Sequence, residues 1–437
     1  MEPISRIAIY NLSAVMKETG LQPDVIRVWE RRYGLPKPQR TAGGHRLYSE
    51  YDVATLKWLH ARQIEGLSIS RAVELWKELS AAGHDPLQGY LPTIEVREPA
   101  PPAEEDHLDT LRTEWLNACL VFDDSKAENT VNQAFGIASV ETVCFEILQK
   151  GVRQMGDWWH QGQATVQQEH FATGLAIRRI DTLVSTTPNP TRQQTVLVGC
   201  PAGEWHSFPI RLLTLLLRRR GLNVISLGAN IPLDQMQQTA ASIRPDLVVL
   251  AAQQLTTAAA LRSASVLFQQ AKIPMAYGGL IFKRIPGLRE KIPGFYLGDT
   301  LENCVERVEE LLADPVHYPE STFVSETDLE IAARFRAKWP QIEMRLMAGL
   351  QEKSLASEYM ATVNAFFAEG LAAALELGDP AWMENDLAWV GQLLTGRQIS
   401  IRRLKPYLDA YREAIESEMG ESGMRITGWL RNYLDGN

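Results

Sequence analysis

Thr195-Val196-Leu197-Val198-Gly199-Cys200-Pro201-Ala202-Gly203-Glu204-Trp205-His206 opens as a short apolar run and closes on a carboxylate and an imidazole two residues apart. A run of this length, bounded by Pro and Gly, predicts a buried parallel strand. Ligands of parallel sheets sit beyond the carboxyl ends of the strands, so His206 falls where an imidazole can reach a metal from one face. Upstream lie Trp159 and His160 and, after nine residues intervening from Trp159, the pair Glu169-His170. Trp, His and Glu on a helical bundle can cover the opposite face of the same metal.

Working outward, residues 194 to 312 alternate strand and helix. Strands are predicted over 195–199, 223–227, 247–252, 275–279 and 294–297, with helices over 210–219, 233–243, 258–270 and 301–312. Repeated βα units predict a parallel sheet with helices on both faces. Glu204, Trp205, His206, Gly228, Gln253, Gln254, Gly278, Gly279, Gly298 and Asp299 then fall at strand ends. No GxGxxG follows the first strand, which argues against a dinucleotide, while Gly278-Gly279 beside Tyr277 admits a flat or extended ligand near the backbone.

Residues 107 to 186 show 3.6-residue periodicity and fit about four helices. The third ends in Met155-Gly156-Asp157-Trp158-Trp159-His160 and the fourth carries Glu169 and His170. Spacing places the two pairs on either side of one turn; spacing alone also permits Trp158 and Trp159 as core aromatics and His160 as a surface residue.

With 437 residues the chain exceeds one compact core, and several domains are expected. No leading apolar segment or run of about 18 apolar residues appears, so a cytoplasmic location without membrane contact is expected. The four cysteines (Cys119, Cys144, Cys200, Cys304) lack CxxC spacing, so a metal must come through histidine or a prosthetic group. Net charge is −9, yet residues 1 to 80 carry 12 Lys/Arg against 9 Asp/Glu. That excess is small, and residue order argues more strongly. Leu12 to Met16, then Thr19-Gly20-Leu21, then Pro23 to Arg32 read as helix, tight turn and helix. The second helix leaves Arg27, Arg31 and Arg32 toward its exposed side, and a Gly-hinged basic hairpin follows with Arg40, His45, Arg46 and Tyr48. Recognition helix plus wing suits double-stranded DNA, because Arg reaches phosphates or guanine edges and Tyr hydroxyls fix register. Ala81 to Asp106, with five prolines and an acidic cluster, reads as a flexible linker.

Val25-Ile26-Arg27-Val28-Trp29-Glu30-Arg31-Arg32-Tyr33-Gly34-Leu35 and Gly44-His45-Arg46-Leu47-Tyr48 resemble the MerR family of winged-helix transcription factors. The resemblance implies a dimeric DNA binder with Arg27, Arg31, Arg46 and Tyr48 as contacts. A helical bundle followed by the α/β sheet resembles the cobalamin-binding module of methionine synthase; joined to such a head, it is similar to the CarH/LitR photoreceptor repressors. That resemblance implies His206 as the lower cobalt ligand within Glu204-Trp205-His206-Ser207-Phe208-Pro209, where Pro209 stands in place of the family's glycine. It further implies that Trp159 and Glu169 cradle an adenosyl group, that His170 lines the pocket, and that His160 ligates cobalt after light. Ala252-Gln253-Gln254-Leu255-Thr256 lacks the family's serine. In the family the dark form assembles into a DNA-binding oligomer, so a homodimer or tetramer is expected.

Residues 321 to 437 read as an extra all-helical stretch without His or Cys, with helices near 328–339, 341–350, 357–377, 380–394, 399–418 and 423–433. The lack of His and Cys excludes His- or thiolate-ligated haem and a thioether-linked bilin. Trp382, Trp389, Tyr407 and Tyr411 with Arg402 and Arg403 are candidates for a noncovalent biliverdin pocket, by an architecture reminiscent of photocobilins; aromatic stripes at helical spacing are also core or oligomerisation surfaces.

The expected organisation is a multidomain chain. A winged helix-turn-helix occupies 1–80, a linker 81–106, a four-helix bundle capping the upper face 107–190, a Rossmann-like cobalamin-binding domain 191–320, and an all-helical domain 321–437. No chain remains for the substrate barrel of a cobalamin enzyme. The expected function is light-responsive, adenosylcobalamin-dependent transcriptional regulation. The alternative is a MerR-type regulator that senses cobalamin or another ligand, such as a bilin in the C-terminal domain, without cobalt-carbon photochemistry.

Overall fold

The computed structural model describes residues 5–19, 21, 23–40, 46–64, 67–81, 85–87, 102–234, 236–313, 324–353, 360–396 and 404–436. The chain divides into two units, 1–159 with 163–188 and 160–162 with 189–437.

In the first unit β1 (Ala8–Tyr10), β2 (Gln39–Arg40) and β3 (Arg46–Ser49) form an antiparallel sheet in the order β1-β3-β2. Around it fold α1 (Leu12–Thr19), α2 (Pro23–Tyr33), α3 (Glu50–Ile64) and α4 (Ile69–Ala81). Ile26 and Trp29 bury one side of α2, and Trp58 meets Trp76 edge-on at 5.2 Å. A reciprocal cap starts α3: the Ser49 amide donates to Asp52 and the Asp52 amide donates to Ser49 Oγ. Asp52 also accepts from the Lys37 amide, which ties the approach to the wing onto α3.

The bundle comprises α5 (Pro102–Leu120), α6 (Asp124–Ile137), a helical run of α7 (Val140–Val143), the π-helical stretch Cys144–Gln149 and α8 (Lys150–His160), and then α9 (Val166–Ser185). Asp123, Ser139 and Thr165 cap the starts of α6, α7 and α9. Gly151 lets α8 approach Trp115, whose ring would lie 2.6 Å from an added Cβ.

Of the expected linker 81–106, residues 82–84 and 88–101 lie outside the described residues; only its edges can be placed. Ala81 closes α4, Leu87 packs into the core of the head, and Pro102 already opens α5. Leu79 lies so close to α6 that a Cβ at Gly136 would stand 2.9 Å from it, and Arg71 bonds Asn129. The head is therefore packed on the bundle, because α4 carries a second apolar edge beyond its own domain.

The second unit holds five parallel strands, β4 (Thr195–Gly199), β5 (Asn223–Ser226), β6 (Leu247–Ala251), β7 (Met275–Gly278) and β8 (Phe295–Tyr296), in the order β5-β4-β6-β7-β8. Helices α10 (Phe208–Arg219), α11 (Met236–Ile243), α12 (Leu255–Gln270), α13 (Leu280–Arg284) and α14 (Leu301–Ala313) follow the strands. The C-terminal helices are α15 (Glu326–Glu352), α16 (Met360–Glu376), α17 (Met383–Gly396), α18 (Leu404–Met419) and α19 (Met424–Gly436).

Two expectations for the C-terminal region change. The helices placed on either side of Trp339-Pro340 are one, α15, with Pro340 inside it. A proline there costs about 3 kcal/mol, but Phe335, Ile342, Leu346 and Leu350 continue a single buried face across it. Nor is the region a separate body. One apolar core runs from Leu197, Leu250 and Ala258 through Leu371 and Ala372 to Tyr411 and Leu430, and Trp382 covers Gly287. Among the described residues no helix is long and apolar enough to cross a membrane.

Candidate functional site

β4 ends at Gly199, and its continuation turns through Gly203, in the left-handed region at φ 81°, before reaching Glu204. The turn is fixed by the Gly203 amide on Asn230 Oδ1 and the Asn230 amide on the Glu204 carbonyl. Glu204 is fully buried while the side chain of His206 remains largely exposed. Glu204 Oε1 lies 2.7 Å from His206 Nδ1 and accepts from the His206 amide at 2.9 Å. Its Oε2 accepts from the Gln253 amide and from the Thr257 hydroxyl, both at 2.7 Å. Burial alone would raise the carboxyl pKa; the hydrogen bonds from His206, Gln253 and Thr257 together outweigh it and hold Glu204 below its ordinary value. A carboxylate so held requires Nδ1 to donate, which puts the imidazole lone pair on Nε2, the tautomer of a histidine metal ligand with an outer carboxylate.

One departure from the family pattern finds its reason here. Pro209 lies in the first turn of α10, where a missing N–H costs nothing. Residues 252–256 carry no serine; the hydroxyl nearest to them, that of Thr257 in the first turn of α12, is bonded to Glu204. Sequence reading missed Thr257 because the first turn of the following helix, not the strand end, carries it.

Of the other strand-end residues, Gln253 accepts from the Leu280 amide through Oε1, and its Nε2 is buried with no hydrogen-bond partner among the described residues. Gln254 is exposed and caps α12, and Trp205 is 70% exposed. Gly278 is buried and Gly279 has φ 124°, with the Ala252 carbonyl 1.9 Å from where a Cβ would stand. Gly279 is thus demanded by the backbone itself.

The upper-face candidates fall in two places. Trp159 lies in the last turn of α8 and Glu169 in the first turn of α9, both in the first unit, with the Gln163 and Ala164 amides donating to the Trp158 carbonyl between them. Both are half-buried; Glu169 Oε2 meets the exposed His170 Nδ1 at 2.7 Å and its Oε1 accepts from Thr173. His160 belongs to the second unit and stacks on Trp389, ring centroids 5.3 Å apart.

On the head, Arg27, Arg31 and Arg32 project from the exposed side of α2, and Arg40 is exposed on β2. Arg46 bonds Glu30 at 2.7 Å, tying the wing to α2, and its guanidinium pKa is raised chiefly by that bond. His45 lies outside the described residues. Tyr48 is a correction: its ring and hydroxyl are enclosed in the core of the head, because β3 pairs between two strands and turns that residue inward. It does not reach a DNA surface.

Two of the residues named for a bilin pocket, Tyr407 and Tyr411, are interior. Tyr411 is fully buried between Trp339 and Phe367, and Tyr407 bonds Asn364 inside the same core. Trp382 donates to the Leu377 carbonyl, and Arg402 and Arg403 lie outside the described residues. Tyr407 and Tyr411 are thus spent on packing.

Among the described residues no group of three His, Cys, Asp or Glu forms a metal cage. The four cysteines are buried, and burial pushes the thiols of Cys119, Cys200 and Cys304 up to about 12. One imidazole backed by a carboxylate, beyond the carboxyl ends of β4 and β6 and beside an unsatisfied amide in Gln253, suits a metal that arrives inside a larger group.

Comparison with known proteins finds matches to three regions of the chain. Residues 10–79 match the MerR HTH family of regulatory proteins, and residues 111–183 and 194–303 match two B12 binding domains. The HTH-type transcriptional repressor CarH of Myxococcus xanthus is 28% identical over 55% of this chain and 78% of its own. The repressor CarA of the same organism is 28% identical over 69% of this chain and 94% of its own. The chain is a homologue of CarH and CarA. It accordingly carries a MerR-type head, a helical B12-binding domain, a Rossmann-like B12-binding domain and a helical C-terminal region. The head alone is also 37% identical to the regulator MlrA of Escherichia coli, over 15% of this chain and 27% of that one.

Proposed function

We propose that this CarH/CarA homologue is a light-responsive, adenosylcobalamin-dependent transcriptional regulator. The Glu204-His206 pair, with Glu204 buried and bonded by His206, Gln253 and Thr257, carries the reading. His206 would be the lower ligand to cobalt, held in the right tautomer by Glu204. Trp159 and Glu169, at one end of the bundle, would flank a bulky hydrogen-bonding upper group, with His170 lining the pocket and His160 serving as ligand once that group is lost. When bound, the cofactor supplies a cobalt-carbon bond that visible light breaks. The chain's part is to hold the upper group closely and to change its packing when that group leaves. Arg27, Arg31, Arg32 and Arg40 would hold operator DNA, and assembly into a homodimer or tetramer would set how many heads bind together.

The deciding experiment is absorbance and size-exclusion elution of protein reconstituted with adenosylcobalamin in the dark and then given green light. The reading expects a cobalamin spectrum that converts on illumination together with a change in oligomer size. Binding without either change would leave a cobalamin sensor that does not use light. His206→Ala should lose the base-on spectrum; an unchanged spectrum would remove His206 as lower ligand.

A further inference from the structure

His160 is held in an unusual way. Its imidazole lies on the indole of Trp389 with the planes 22° from parallel, and its Nδ1 is buried without a hydrogen-bond partner among the described residues. A buried ring nitrogen with no partner has lost its water and gained no bond. What orients the ring in this state is the aromatic face beneath it.

Trp389 is well placed for that task. It lies on α17, whose Met383 and Leu387 are sunk in the core shared with the sheet, and Met383 Sδ fills the space above Gly370. The indole is therefore presented by an element with little freedom to follow a moving ring. One turn earlier, burial pushes the Asp386 carboxyl up, an effect offset in part by the charge of Arg284 at the end of α13.

We infer that Trp389 is a positioning residue for His160, a latch that keeps the imidazole with the C-terminal helices and away from cobalt until the ring turns out of the stack. An imidazole with one face covered and one nitrogen shut in has given up half of its coordinating edge. The C-terminal region would thereby set how readily His160 becomes a ligand. The inference rests on the proposed role of His160.

The test compares the parent protein with Trp389→Ala and Trp389→Phe, each loaded with adenosylcobalamin and illuminated, following the appearance of the bis-imidazole cobalt spectrum. Trp389→Ala should speed it roughly five-fold, the scale of one aromatic stack, and Trp389→Phe, which keeps a ring, should stay near the parent rate. An unchanged or slower rate in Trp389→Ala overturns the latch. His160→Ala should abolish the bis-imidazole spectrum; if it persists, the role assigned to His160 fails and the latch with it. A second measurement needs no cofactor: in NMR spectra of the cofactor-free protein the His160 ring protons, assigned by their loss in His160→Ala, should be shifted upfield by the indole and return in Trp389→Ala. No such shift would overturn the stack even if cobalamin were not taken up.

Discussion

At the residue scale the site turns on a buried carboxylate whose charge is kept by hydrogen bonds. Glu204 folds with its pKa depressed, so the stability it contributes is present above the ordinary carboxylate pKa and is lost as pH falls through the depressed value. Thr257→Val removes one donor to Oε2 and should cost about 1–2 kcal/mol in urea unfolding at neutral pH. It should also move the acid-side loss to higher pH, since the folded pKa rises toward the unfolded one. An unchanged acid limb would mean that the hydroxyl does not support the charge. Of this constellation, Glu204 and His206 were legible in the sequence because they are two residues apart at a strand end. Thr257 is 53 positions from Glu204, and no local spacing announces a contact between one strand-end loop and the first turn of another strand's helix.

At the scale of elements, α2 and the wing show how one basic stretch divides its work. Arg31 is exposed on α2, whereas Arg46 is spent on Glu30 and Tyr48 on the core. Arg31→Ala should weaken binding to DNA of any sequence and reduce the salt dependence by about one counterion, with cofactor uptake unchanged; equal affinity at all salt concentrations would reject the contact. Helical period placed α2 and its exposed face correctly from sequence. The inward turn of Tyr48 was not visible, because β3 is only four residues long and its register is set by β1 and β2 on either side. The same limit explains α15. Pro340 breaks the local pattern, and only the packing of residues on both sides of it keeps the helix whole.

For the whole molecule, the C-terminal helices complete the core of the cobalamin-binding sheet. A chain ending at Ala313 should uncover the apolar face of α12 that meets α16, and should aggregate or lose near-UV circular dichroism relative to the full chain. A truncated protein that stays monomeric and well packed would show the two layers to be independent. Sequence by itself determined the order of the parts, the parallel sheet, the recognition helix and the Glu204-His206 pair, because each is written in a period of 2 or 3.6 or in a spacing of a few residues. The tertiary structure alone decided that Thr257 holds Glu204, that Tyr407 and Tyr411 are interior, that the head rests on α6, and that His160 lies against Trp389. Those are contacts between surfaces far apart in the chain, where burial and shape choose the partner and local propensity has no say.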